Sequence, residues 1–454
     1  GEELPRRAVR PEQLVDALPG ILGADAVARQ KRRLANDAQP LRELPAGVFH
    51  SANMVDPQQW IDALRGYKYD SINPDALLRL AKVRDGRIEL PGGASYRLLV
   101  LPPSRPASPN AELMTPQLAG KLRGLVKDGA KVILPQRPLR SPSLSDYPAC
   151  DEAVQQIGTE LEVLDGGAYQ KDSFDDIGLP PDFVAVDLDN RQRASGIAWT
   201  HRAAPGMDIY FICNQQELTR TIEVWLRVAG RVPELWDPLS GESRPADRWR
   251  IESGRTVLPL RFWANGSIFV VLCQPTDRTS CQDGSNWSDP RELAEVPGPW
   301  RVTFDTSRGG PNDAVIFQKL ESWSLRSEKG VKHYSGTATY HNRFSWPIAS
   351  GGRVRRVWLD LGNVANVARV SVNGIDCGVV WTAPYRVQIT DALNPGADPQ
   401  QIRIEVTNTW ANRLIGDRGL PPQDRITRTT SPYRLEDSAL QEAGLLGPVR
   451  ILAE

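Results

Sequence analysis

Apolar and polar residues alternate along the last part of the chain, from Arg353 to Glu454. The alternation comes in short runs such as Ile402-Ile404-Val406, and turn-forming residues such as Asn373-Gly374 and Asn394-Pro395-Gly396 separate the runs. Period-two alternation puts every second side chain on one face of a sheet, and Asn-Gly between two such runs is a strong hairpin signal. The pattern predicts an antiparallel sandwich or jelly roll over residues 299–454.

A different pattern occupies residues 67–182. Tyr96–Pro102 and Lys131–Pro135 are continuous apolar runs, as expected of strands buried on both faces. Between them, Thr115 and the proline after it can start a helix with an apolar stripe. With a helical segment at Asp151–Gly158 and a strand-like Leu161–Leu164, the order predicts right-handed βαβ units in a flavodoxin-like α/β layer. Neither strand is followed by a glycine-rich phosphate loop, so no nucleotide site is predicted.

Residues 183–278 return to alternation and predict a small β-sandwich. Its predicted strands are Ala198–Arg202, Asp208–Asn214, Arg220–Leu226, Pro233–Trp236, Thr256–Leu260 and Ser267–Cys273. A polar linker is predicted at 279–298, and an N-terminal helical or irregular segment at 1–66. The acidic residues of the linker, Asp283–Asp289, could hold calcium, but they lack the EF-hand pattern, which favours a solvated linker.

Composition narrows the function classes. The 454 residues carry 55 basic and 55 acidic side chains, so a nucleic-acid partner is not expected. No apolar run reaches the ~20 residues of a membrane span. The five cysteines form no zinc-ligand cluster; Cys273 and Cys281 are either a short-loop disulfide or two thiols. Tryptophan is unusually frequent, with 13 residues, and each indole is either a core residue or a sugar-stacking surface.

A series of motifs runs through the chain in a fixed order: GYKYDSINPDALL, GAKVILPQRPLRSPSL, PELWDP, PGPWRVTF, VSVNGIDCGVVWTAPYRVQIT, TNTWANRLIGD and GLLGPVRI. In this order, residues 67–454 resemble the C-terminal half of the α-L-rhamnosidases of glycoside hydrolase family 106. The last domain also resembles the galactose-binding-like, sugar-binding jelly roll of family 2 glycoside hydrolases.

The resemblance implies a carbohydrate partner, a rhamnose-containing glycan or glycoside, and a periplasmic or secreted location, although no signal peptide stands at Gly1. In that family two catalytic glutamates and a calcium site lie on an upstream (β/α)₈ barrel. Sixty-six residues cannot build a fold of about 250 residues. We therefore expect that the catalytic barrel is missing and that this chain holds no cofactor or metal. The family's catalytic residues cannot be carried onto any position here, so the catalytic residues stay unknown.

The segment Trp410–Asp417 is predicted to be a polar-aromatic loop. Trp410 offers a stacking face, and Asn412, Arg413 and Asp417 offer hydrogen-bonding groups. Two interpretations stay open for it: direct sugar contact, or an Arg413–Asp417 pair that braces the loop.

Trp381 and Tyr385 flank Pro384 in a second predicted loop, where core packing and sugar contact are again alternatives. These two aromatic residues complete the set of candidate substrate-binding positions.

Candidate catalytic groups are weaker. Glycoside hydrolysis needs two facing carboxylates; the candidates are Glu321, Glu405, Asp417, Glu436 and Asp437. His201 and Arg202 are expected at a domain interface rather than in catalysis, and His333 and His341 share a strand face by parity.

Three functions follow. The chain is the accessory half of a rhamnosidase-like enzyme, a stand-alone carbohydrate-binding or scaffold protein, or a hydrolase that uses carboxylates of its own.

Overall fold

A computed structural model describes residues 66–101, 112–134, 137–161, 164–165, 174–328, 330–345, 356–394, 398–429 and 439–454. The described chain divides into two compact units, a first unit of residues 66–288 and a second unit of residues 289–454. The predicted helices of the N-terminal segment lie outside the described residues. Within the described ranges, no helix has both the length and the apolar character that crossing a bilayer requires.

The first unit begins with an α/β part. Its elements are α1 (Pro74–Leu80), α2 (Pro116–Lys127), α3 (Ala149–Glu160), β1 (Lys82–Arg84), β2 (Arg87–Glu89), β3 (Ser95–Tyr96), β4 (Leu99–Val100), β5 (Val132–Leu134) and β6 (Leu164–Asp165). Strands β4, β5 and β6 pair in parallel, which confirms the predicted βαβ arrangement. The Thr115 hydroxyl accepts the Leu118 N–H at 3.2 Å and caps α2, as predicted.

One element of this part was predicted wrongly. Tyr96–Pro102 is not one strand, because Tyr96 ends β3 in an antiparallel sheet with β1 and β2, whereas Leu99 starts β4 in the parallel sheet. The apolar run serves two sheets in succession, and a run that is apolar throughout gives no sign of where the chain changes sheets.

A β-sandwich completes the first unit. Its strands are β7 (Phe183–Asp187), β8 (Ile197–Ala204), β9 (Met207–Asn214), β10 (Arg220–Leu226), β11 (Arg231–Trp236), β12 (Ser243–Pro245), β13 (Arg248–Glu252), β14 (Arg255–Phe262), β15 (Ser267–Pro275) and β16 (Ser280–Gln282). They form two five-stranded antiparallel sheets, in the orders β16-β13-β14-β10-β7 and β12-β11-β15-β9-β8. All six predicted strands are present. Cys273 and Cys281 lie in opposite sheets as free thiols, so the disulfide alternative is wrong.

The predicted polar linker is structured, and this corrects the sequence interpretation. Strand β16 falls inside it, and Asn286 is only 4% exposed. The Asn286 amide donates to the carbonyl oxygens of Arg248 (2.6 Å) and Pro259 (2.9 Å) and accepts the Arg248 N–H (2.9 Å). Proline has no N–H for the sheet ladder. The amide therefore takes the place of ladder hydrogen bonds where β13 and β14 separate.

Replacing Asn286 by alanine should lower the free energy of unfolding of the first unit by about 1–3 kcal/mol, because buried backbone groups lose their partners. Urea denaturation followed by tryptophan fluorescence measures the change. Ser285→Ala is the matched control in the same segment and should change stability little. Equal stability of the Asn286→Ala and Ser285→Ala proteins would show that the amide does not hold the strands.

In the described residues, the second unit contains one α-helix, four 3-10 helices of three residues each, and the remaining strands. The α-helix and the strands are β17 (Arg291–Glu295), β18 (Trp300–Phe304), β19 (Val315–Phe317), β20 (Thr337–Phe344), β21 (Val357–Asp360), β22 (Asn363–Ala365), β23 (Val367–Val372), β24 (Ile375–Val380), β25 (Arg386–Gln388), β26 (Gln400–Thr407), α4 (Ala411–Arg418), β27 (Gly444–Gly447) and β28 (Arg450–Ala453). The two larger sheets have the orders β19-β18-β20-β26-β23-β24 and β17-β28-β21-β25.

The hairpin predicted at Asn373-Gly374 is confirmed. β23 and β24 pair antiparallel on either side of it, and both turn residues have positive φ (51° and 80°), the conformation that an Asn-Gly hairpin turn adopts. Strand β17 lies within the predicted 279–298 linker, a further correction of that segment.

Large aromatic side chains fill the core of the second unit. Trp323 and Tyr340 are fully buried, and the Trp323 indole N–H donates to the Tyr340 hydroxyl at 2.5 Å. The same hydroxyl accepts the Leu445 N–H at 3.1 Å, and burial raises the pKa of Tyr340. Phe304 and Tyr334 meet the Trp323 ring edge-on, with centroids 5.4 and 5.6 Å away. This cluster links the turn before β20 to β27.

Candidate functional site

The candidate segment Trp410–Asp417 is a helix, not the predicted loop. α4 spans Ala411–Arg418, and the Leu414 N–H donates to the Trp410 carbonyl oxygen at 3.0 Å. The segment has no long apolar stripe, so periodicity does not reveal the helix. Its buried side chains are polar, and they hold the helix in place.

Asn412 joins α4 to the segment before β27. Its side chain is almost fully buried; its amide group donates to the Gln441 carbonyl oxygen at 2.8 Å and accepts the Gln441 N–H at 2.8 Å. Thr409 adds a hydrogen bond to the Gln441 side chain at 3.3 Å. Asn412 therefore acts as a backbone-like partner for Gln441, and its amide is occupied by protein.

Arg413 and Asp417 form the predicted brace. Their side chains lie one helical turn apart with Nη1 and Oδ1 separated by 3.5 Å, and both are buried. Asp417 Oδ2 also accepts the N–H and the hydroxyl of Thr427 at 2.6 and 2.7 Å. The Arg413 N–H donates to the Ser335 hydroxyl at 3.1 Å. The predicted Arg413–Asp417 pair is therefore present, and both side chains face protein rather than solvent.

Trp410 is the exposed member of this segment. Its indole is 57% exposed, and the Arg308 guanidinium lies over the ring, 5.9 Å from its centroid. Ile426, 46% exposed, lies against Gly309, where a Cβ would stand 2.2 Å from the Ile426 Cδ1 atom. Trp410, Arg308 and Ile426 thus border one exposed aromatic and apolar surface, here termed the Trp410 surface. It can stack on the apolar face of a ligand.

The two aromatic residues of the second candidate loop have different surroundings. Trp381 follows β24 and is 61% exposed, whereas Tyr385 is half-buried and packs against the core of the second unit. The Tyr385 carbonyl oxygen accepts the Leu361 N–H at 2.8 Å. Trp381 is free to meet a ligand, and Tyr385 has the core contacts of the structural alternative.

The candidate carboxylates are engaged by neighbouring arginines. Glu321 pairs with Arg326 at 2.8 Å, and Glu405 pairs with Arg403 at 2.7 Å. Glu436 and Asp437 lie outside the described residues. Among the residues that are described, no three His, Cys, Asp or Glu side chains are close enough to hold a metal.

The predicted relation between His333 and His341 is wrong. His341 lies on β20, but His333 lies in the turn before that strand and packs against α4, where a Cβ on Gly416 would stand 2.7 Å from the His333 Cβ atom. Burial lowers the pKa of both rings.

His201 lies in a buried charged cluster of the first unit. Its Nδ1 is 2.7 Å from an Asp182 carboxylate oxygen, and its Nε2 is 2.9 Å from an Asp208 carboxylate oxygen. The Tyr210 ring stacks on the imidazole, with centroids 4.0 Å apart, and its hydroxyl donates to Asp182 at 2.9 Å. Arg227 also pairs with Asp182 at 3.3 Å.

Two further contacts lie in and beside this cluster. Arg231 pairs with Asp208, and Lys68 of the α/β part donates to the Trp199 carbonyl oxygen of β8. The Lys68 contact joins the α/β part to the sandwich beside this cluster, and an interface role for His201 itself stays a prediction. Asp182 is 19 residues from His201 in the sequence, so local periodicity did not reveal this partner.

Known proteins are similar to this chain in sequence and in architecture. Residues 50–250 match the model of glycoside hydrolase family 106, described as α-L-rhamnosidase. The structure of a rhamnosidase from Novosphingobium sp. PP1Y is 34% identical and has a TM-score of 0.68; the match covers 86% of this chain and 36% of that one. The predicted resemblance to the family 106 α-L-rhamnosidases is confirmed.

A more distant relative extends the likeness to other glycoside hydrolases. A protein of Formosa agariphila named putative β-glucuronidase is 22% identical over 627 aligned residues, which cover 85% of this chain and 53% of the relative. The chain thus spans about half the length of this curated relative and about a third of the rhamnosidase.

Proposed function

We propose that this chain is the accessory, non-catalytic region of a glycoside hydrolase that cleaves terminal α-L-rhamnosides in plant or microbial glycans outside the cytoplasm. The observation that carries the proposal is the 34% identity to a rhamnosidase structure over 86% of the chain. The engaged carboxylates support a non-catalytic role. In finer detail, we propose a flavodoxin-like layer, a small β-sandwich and a galactose-binding-like jelly roll.

A stand-alone carbohydrate-binding protein is the second candidate. The exposed indoles of Trp381 and Trp410 favour it, since large exposed aromatic side chains commonly mark binding surfaces. In both candidates the Trp410 surface can bind a rhamnose-containing glycan. In the first candidate it can instead contact an upstream catalytic domain. An antibody raised against this chain separates the two in source cells. A band near 50.3 kDa favours the stand-alone protein, and a much larger band favours the accessory region.

Trp410→Ala tests the sugar contact. The purified chain should hydrolyse no aryl α-L-rhamnoside, because the candidate carboxylates among the described residues, Glu321, Glu405 and Asp417, are each paired with a neighbouring arginine. We expect calorimetry to detect rhamnose-oligosaccharide binding that Trp410→Ala weakens about tenfold, the worth of a lost stacking contact. Trp236→Ala removes another exposed indole, 41% exposed in the first unit, and should leave binding unchanged. Rhamnoside turnover by the chain alone would contradict the accessory role, and equal binding by both variants would exclude the Trp410 surface.

A further inference from the structure

A groove of about 380 Å³ opens on the sandwich sheet that contains β10, β13, β14 and β16. Its apolar members are buried or half-buried, and two of its polar members are exposed. The lining residues that matter are Leu188, Glu223, Arg248, Val257, Pro259 and Gln282. This volume lies in the usual range for small-molecule sites, about 300–1,000 Å³.

The groove has a structural cause. β13 pairs with β14 only from Arg250 to Glu252, and the Asn286 amide fills the gap beyond that point. On the other edge of β13, Arg248 pairs in register with Gln282 of β16. The separated strands therefore leave an opening whose width is set by buried hydrogen bonds and not by a mobile loop.

The ionised side chains that line the groove leave one positive charge without a partner. Arg250 is fully engaged: it donates to Glu223 at 2.8 Å and to Glu252 at 2.8 Å, and its guanidinium lies over the Trp225 ring at 5.5 Å. The hydrogen bond from Arg250 lowers the pKa of Glu223, which keeps that carboxylate ionised near neutral pH. Arg250 and Glu223 thus cancel each other within the groove.

Arg248 supplies the remaining charge. Its backbone is held by Asn286, but its guanidinium makes no hydrogen bond or ion pair with any residue in the described part of the chain. An exposed guanidinium over an apolar floor presents a planar set of donors that matches a carboxylate with two parallel hydrogen bonds.

We propose that this groove binds an acidic sugar, a hexuronic acid whose carboxylate pairs with Arg248. The proposal rests on the proposed function only in taking the partner to be a glycan. Leu188, Val257 and Pro259 offer apolar contact for the C–H groups of the sugar ring. The Gln282 amide can form hydrogen bonds with the hydroxyl groups of the sugar. The Glu223 carboxylate accepts hydrogen bonds from Arg250 and Trp225 and can accept further ones from these hydroxyl groups.

The test is calorimetric titration of the full chain with D-glucuronic acid and D-galacturonic acid, each against its neutral counterpart, D-glucose or D-galactose. Binding of at least one uronic acid is expected, with its neutral counterpart at least about tenfold weaker. Arg248→Gln should weaken uronate binding about 10- to 100-fold, as expected for the loss of a charged hydrogen-bonded pair. Arg248→Lys keeps the charge but loses the planar pair of donors, so its uronate affinity should lie between those of the wild type and Arg248→Gln.

Control variants separate this site from other effects. Arg84→Gln removes an exposed arginine of β1 and should leave uronate binding unchanged. Trp410→Ala, in the second unit, should also leave it unchanged, so failure of the rhamnose site and failure of this site are told apart. Absence of uronate binding, an unchanged affinity in Arg248→Gln, or equal affinity for the neutral sugar would each overturn the proposal. Acetate binding as tight as uronate binding would show a simple anion site and overturn the sugar assignment.

Discussion

Alanine in place of Trp323 is expected to lower the free energy of unfolding of the second unit by about 3–5 kcal/mol. The indole is fully buried between Phe304 and Tyr334, and it donates to the Tyr340 hydroxyl. Its removal leaves a large cavity and takes one partner from a buried hydroxyl. Since domains are stable by about 5–15 kcal/mol, the loss is a large share of the total.

Urea denaturation measures the Trp323 effect, with circular dichroism as the signal because the substitution removes a fluorophore. Trp410→Ala is the matched control, since its indole is mostly exposed; that change should cost less than about 1 kcal/mol. The stability of Trp323→Phe should lie between those of Trp323→Ala and Trp410→Ala, because the ring volume is partly kept while the N–H donor is lost. If Trp323→Ala and Trp410→Ala were equally stable, the aromatic cluster would not be the core of this unit.

The second large effect is the pH dependence of the first unit, which arises from His201. Burial of the ring opposes the charged form, but hydrogen bonds and charge from Asp182 and Asp208 outweigh it and raise the pKa of His201 above 6.5. A raised folded-state pKa means that the stabilisation is fully present below about pH 6.5. It is lost as the pH rises through the folded-state pKa, where the imidazolium loses its proton.

His201→Gln should therefore lower the free energy of unfolding by about 2–4 kcal/mol near pH 6, because two buried carboxylates lose a charged partner. The difference from wild type should shrink as the pH rises from 6 through the folded-state pKa of His201, at about 1.4 kcal/mol per unit of pKa difference. Denaturation of both proteins across this pH range measures it. His341→Gln is the control: burial lowers the pKa of His341, so its contribution changes with pH in the opposite direction. A constant difference between wild type and His201→Gln would contradict the charged bridge.

Strand positions were predictable where one buried face dictates the pattern. Strand β10, Arg220–Leu226, matches the predicted range residue for residue, since every second side chain enters a core. Short strands were missed where this signal is absent. β16 is Ser-Cys-Gln with a single buried residue, and its polar neighbours resemble a linker. Such strands form because a neighbouring strand offers its edge, which the local sequence does not encode.

The candidate site was predictable in its residue types but not in its arrangement. The Arg413–Asp417 pair follows from a four-residue spacing, and that spacing also fits a helix, which the structure has in place of the predicted loop. Asn412 is buried by Gln441, 29 residues away, and His201 is held by Asp182, 19 residues away. Contacts of this kind depend on tertiary structure, so local periodicity cannot reveal which polar side chains are engaged and which, like Trp410, are exposed.

The position of β28 has a consequence for synthesis on the ribosome. This strand, Arg450–Ala453, lies between β17 and β21, although β17 is made more than 150 residues earlier. The described part of the first unit is complete once residue 288 has emerged, so this unit can fold while translation continues. The four-stranded sheet of the second unit must wait with two unpaired edges until residue 453 is released. A chain truncated before Arg450 would leave those edges exposed to proteases and to other nascent chains.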